Sequence, residues 1–139
     1  MKPQFDALTK AQEQKLNMCE LQIVRANNQV ASKQSEMSAL VAELARLQRP
    51  DSGSFDTFLK ANARKRAFVF EIDSIQEGIA ILKAQIAALE SQHRSLYVEF
   101  EKLKHIREKQ REEMVKAMKQ KEQKELDEVA ILLHKKELL

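Results

Sequence analysis

The chain has no tryptophan, one tyrosine, one cysteine, and only two glycines and two prolines in 139 residues. Each shortage excludes something. With aromatics at 5% there is too little bulk for the compact core of an ordinary globular domain, which also needs more turn residues. With Cys19 alone, no intramolecular disulfide can form, and a reducing cytoplasm is the expected compartment. No run of roughly 18 apolar residues is present to span a membrane. The N-terminus, Met1-Lys2-Pro3-Gln4-Phe5-Asp6, lacks the apolar stretch of about 7–15 residues that marks a signal peptide. Neither charge sign dominates. The net charge is only +3, and acids alternate with bases, so the pattern reads as solvated helix faces and no nucleic-acid partner is expected.

What fills the sequence is Ala, Glu, Lys, Leu, Gln and Arg, strong helix formers because they lose little side-chain freedom in a helix. Breakers gather at one place, Arg49-Pro50-Asp51-Ser52-Gly53-Ser54. Pro50 disfavours helical geometry at Arg49, Gly53 tolerates φ values that other residues resist, and Ser54 is a natural N-cap. The expected layout is a single coiled-coil domain over 1–139. Helix 1 covers about 4–49, a turn 50–54, and helix 2 about 55–136. At 1.5 Å per residue the helices would be about 70 Å and about 125 Å long.

Steps of three and four pick out Leu16, Cys19, Ile23, Ala26, Val30, Lys33, Met37, Leu40, Leu44 and Leu47 in helix 1. In helix 2 the same steps run from Phe58 through Ala61, Lys65, Phe68, Ile72, Ile75, Ile79, Leu82, Ile86, Leu89, His93, Leu96 and Phe100 to Leu103. A repeat of 3.5 residues held this long predicts a left-handed coiled coil. The short turn favours intramolecular pairing. The fold class is therefore all-α: a two-helix antiparallel coiled-coil hairpin whose second helix extends beyond the first. Folding at Pro50–Ser54 sets Leu47 against Phe58, Met37 against Phe68, Val30 against Ile75, Cys19 against Ile86, and Phe5 against Phe100. Periodicity leaves this register open by one heptad. His93 falls opposite Gln12 as a polar seam position, and helix 1 runs out near Phe100–Leu103, leaving residues from Lys104 onward to project alone.

Chemistry is scarce. The histidines are scattered, no His/Cys group has metal spacing, and no phosphate-binding glycine loop or nucleophile–base pair is present. No catalytic, cofactor-binding or metal-ligating residue is expected, and no small-molecule ligand, so the chain is expected to bind proteins and not to be an enzyme. Two places attract attention. Near the turn, Phe70 lies two positions from the seam residue Phe68 and points away from the seam, beside the basic run Arg64-Lys65-Arg66. Phe58 and Phe68 are expected in the core. In the projecting segment, Leu126, Val129, Ala130 and Leu133 form an i, i+3, i+4, i+7 apolar face with no intramolecular cover, a pattern suited to a helix-in-groove contact. Gly78, which costs ~1 kcal/mol relative to alanine inside a helix, is expected to serve close packing at the seam.

The unequal hairpin, the segment Glu125-Leu126-Asp127-Glu128-Val129-Ala130, the aromatic start of helix 2, and Phe5 and Leu8 near the N-terminus resemble the FliJ family of flagellar export proteins. The related YscO stalk proteins of virulence type III secretion are similar. Tryptophans common in some relatives are absent, which leaves the choice between the two systems open. The resemblance implies a coiled-coil stalk in the pore of a hexameric export ATPase, with contacts to an export-gate membrane protein and to export chaperones. It places the protein in the cytoplasm, peripheral at the cytoplasmic face of the inner membrane. A structural or self-associating scaffold and a holdase-like chaperone are the competing readings.

Overall fold

The computed structural model describes residues 3–47 and 53–138, so the expectations for Arg49, Pro50, Asp51 and Ser52 lie outside the described residues. Two helices account for the fold: α1 (Pro3–Arg46) and α2 (Phe55–Leu138). Pro3 opens α1 at the first helical position, where a missing N–H costs nothing. The helix ends at Arg46, and the Leu47 N–H closes its last turn on the Leu44 carbonyl at 3.2 Å. Ser54 caps α2 as expected. Its carbonyl accepts from Thr57 and Phe58 N–H at 3.0 and 3.4 Å, and its Oγ accepts from Thr57 N–H at 3.3 Å. Gly53 takes φ 150°, outside the comfortable range of residues with a Cβ.

By contacts the hairpin divides into two compact units, Asn17–Arg94, and Met1–Leu16 with Ser95–Leu139. In the first, Ala26, Val30, Ile79, Leu82 and Ile86 are buried together, with Met37 and Ile75 packed on them. Every one belongs to the stripes expected from the three-four spacing. In the second, Thr9 and Leu16 are buried, and Leu96, Phe100 and Leu103 are half-buried. The Thr9 hydroxyl donates to the Phe5 carbonyl at 2.6 Å, so its polar atom is satisfied within α1 while its methyl group can face the seam.

The seam residues are as expected, but the register is one heptad further along α2. Cys19 Sγ donates to the Leu89 carbonyl at 3.3 Å, the same carbonyl that closes the helical turn to His93, so Cys19 sits at the level of His93 and not of Ile86. Lys33 lies over Gly78 and not Ile72. His93 Nε2 bonds Glu20 Oε1 at 3.0 Å and is not opposite Gln12, whose Nε2 donates to the Leu96 carbonyl at 3.2 Å. Asp6 reaches Arg107 at 3.8 Å. A seven-residue slip returns apolar residues to apolar residues, so the stripe cannot choose between the two registers. The polar seam groups can. In the observed register the long chain of Lys33 crosses a residue without a Cβ, and Glu20 and Asp6 each meet a basic partner.

Two corrections follow from the shift. Arg46 now stands level with Arg66, so Phe58 lies about two turns beyond the end of α1 and is exposed at 45% rather than being core. At the other side, partial burial on α2 continues through Arg107 and Gln110, so the exposed segment begins at Arg111 and not at Lys104.

Candidate functional site

Between Phe55 and Phe70, Ala61 and Phe68 are half-buried and all other side chains are exposed. Phe70 is 75% exposed, the outward aromatic expected from its offset from the seam. Positions 62, 66, 69, 70 and 73 share one face of a 3.6-residue helix. Asn62, Lys65, Arg66, Val69, Phe70 and Asp73 line a shallow depression of about 350 Å³ on that face. Three of the four candidate tip residues are thereby brought together. Arg64 is not with them. One residue earlier in the turn, it joins Glu43, Arg46, Leu47 and Phe68 around a separate depression of about 460 Å³ between α1 and α2.

The tip carries more exposed apolar surface than Phe70 alone. Phe55 is 79% exposed, and Leu59 and Val69 are also exposed. Leu59 and Val69 were missed in the sequence, although their i, i+4 relations to Phe55 and to the Lys65–Arg66 turn were there to be found. Lys60 bonds the Asp56 carboxylate at 3.3 Å, an exposed i, i+4 pair of little energetic weight.

In the C-terminal part of α2 every residue from Arg111 to Glu137 is exposed. Leu126, Val129, Ala130 and Leu133 are all on that surface, Leu126 at 64%. Their spacing aligns them on one face. Ile131 and Leu132 are exposed as well, on other faces, so apolar surface extends round the helix here. The segment also holds a local Gln123 Nε2 to Asp127 Oδ1 hydrogen bond at 3.2 Å. An exposed helix gains no tertiary packing and relies on such pairs and on intrinsic propensity.

Chemical sites are sparse by comparison. Among the described residues no group of three or more His, Cys, Asp or Glu side chains is placed to hold a metal ion, and no helix is long and apolar enough to cross a membrane. The Cys19 thiol is buried in the seam. The arrangement therefore offers surfaces: an aromatic, basic tip in one unit and an exposed apolar helix in the other.

Compared with known protein families, residues 1–138 match the family described as Flagellar FliJ protein. No curated protein and no solved structure matches the chain.

Proposed function

This chain belongs to the FliJ family and is a component of the flagellar export apparatus, and we propose that within it the chain is a non-enzymatic coiled-coil stalk binding the hexameric export ATPase. In this reading it also links the ATPase to the export-gate membrane protein and to export chaperones, and works in the cytoplasm against the inner face of the membrane. Family membership selects the flagellar system over the virulence one.

The observation that supports ATPase binding is the exposed C-terminal part of α2. Leu126, Val129, Ala130 and Leu133 form a helical apolar face in water, and such a face is stabilised by entering an apolar groove or a ring pore. The tip then serves the gate contact, with Phe70 as the aromatic anchor and Arg64, Lys65 and Arg66 as the charged partners of an acidic surface.

Deletion of Leu126–Leu139 tests the assignment. Among the described residues, those from Leu126 to Glu137 are exposed and take no part in the seam, so the hairpin should stay helical while capture of the ATPase is lost. Undiminished capture would refute the assignment. Replacing Phe70 together with Arg64–Arg66 should weaken the gate contact and spare the ATPase. The opposite outcome would reverse the two surfaces.

A further inference from the structure

We propose that the first four turns of α2 dock directly on an anionic lipid bilayer. The inference rests on the reading above, in which this tip faces the gate, because a gate protein is embedded in a membrane and the tip must come close to its headgroups.

Phe55, Leu59, Val69 and Phe70 are exposed, and helical spacing puts them on one outer face with Arg66 among them. The residues lining the depression on this face all belong to α2, so no second helix walls it in. A partner helix seats best between two ridges, whereas one convex helix face with aromatics and flanking cations is what a helix lying in a membrane interface presents. The charge agrees. Between Phe55 and Phe70 the cations are Lys60, Arg64, Lys65 and Arg66, and the single acid is Asp56, already held by Lys60. Arg64 shares its surroundings with Glu43 and Arg46, which leaves Lys65 and Arg66 as the cations nearest the aromatic face. Asp73 closes the far edge of that face and limits its extent along α2. Lys65 and Arg66 have aliphatic stems long enough to lie along the apolar surface while their charged ends meet lipid phosphates. At the end of the helix Phe58 is exposed too, on the flank of Phe55, so apolar side chains spread over more than one direction where the hairpin turns.

The test uses the full chain and vesicles of two compositions, phosphatidylcholine alone and an equimolar mixture of phosphatidylcholine and phosphatidylglycerol, read by flotation. The expected result is binding to the anionic vesicles only, weakened by salt. Lys65→Gln with Arg66→Gln, and separately Phe55→Ala with Phe70→Ala, should each reduce it on the order of tenfold or more. Leu126→Gln with Val129→Gln and Leu133→Gln should leave it unchanged. All these positions are exposed, so the variants are expected to fold, and far-UV circular dichroism checks that they do. Failure to float with anionic vesicles, equal binding to both compositions, or loss only in the Leu126–Leu133 variant would overturn the inference. A tip that binds detergent-solubilised gate protein but no vesicles would also overturn it, while leaving the gate contact proposed above standing.

Discussion

Replacing Leu82 with alanine removes a side chain from the middle of the seam cluster made with Ala26, Val30, Ile79 and Ile86. Leu82 is 9% exposed, so nearly all of its burial is lost. Core leucine-to-alanine changes cost ~2–5 kcal/mol, the upper values arising where a rigid cavity stays empty. A two-helix seam is open to water along both flanks, and its neighbours can close in. The expected cost is therefore at the low end, about 2–3 kcal/mol. Leu132→Ala is the matched control. At 66% exposed it contacts little, and alanine is the better helix former, so its effect should stay within about 0.5 kcal/mol. Urea unfolding followed by far-UV circular dichroism measures both. A clear fall in midpoint for the Leu82 variant and none for the Leu132 variant is expected. Equal shifts, or an unaffected Leu82 variant, would refute the reasoning that the seam carries the stability and the C-terminal segment does not.

Further expectations concern the register and the turn. His93→Cys should cross-link with Cys19 on mild oxidation and Ile86→Cys should not, as judged by non-reducing gel mobility; the reverse would restore the register expected from the turn. Gly78→Ala should stabilise by ~0.5–1 kcal/mol, because a Cβ there meets the Lys33 side chain at an ordinary 3.5 Å while the helix gains propensity. Loss of stability in the same urea assay would show that the seam needs the glycine. At the turn, Ser54→Ala should cost ~1 kcal/mol through the lost cap on Thr57 N–H, and a neutral result would remove the cap from the account.

The three-four spacing of apolar residues was enough to place Ile23, Ala26, Val30, Ile79, Leu82 and Ile86 on the seam, because each helix has only one face that can pair. It was not enough to set their partners. A heptad slip exchanges one apolar layer for the next at almost no cost, and the choice falls to side chains such as Lys33, Glu20 and Asp6, whose reach across the seam cannot be read from spacing. The same limit explains Phe58. It lies on the stripe, yet α1 ends at Arg46, too early to cover it. The outward position of Phe70 and the exposure of Leu126, Val129, Ala130 and Leu133 were legible, since both depend on helical phase and on the unequal lengths of the helices, not on register. The separation of Arg64 from Lys65 and Arg66 follows from the same helical phase, about 100° per residue, and was overlooked only because the three are adjacent in sequence.

The proposed engagement of the export ATPase by the exposed C-terminal part of α2 is tested by an equilibrium titration of the labelled full chain with the hexameric ATPase. Leu126, Val129 and Leu133 are each more than half exposed, so burying what remains is worth about 1 kcal/mol apiece. Changing all three to glutamine should weaken binding by roughly 100-fold, while Phe70→Ala with Lys65→Gln and Arg66→Gln leaves the affinity unchanged. Wild-type affinity in the triple variant, or a comparable loss in the tip variant, would contradict the proposed ATPase contact.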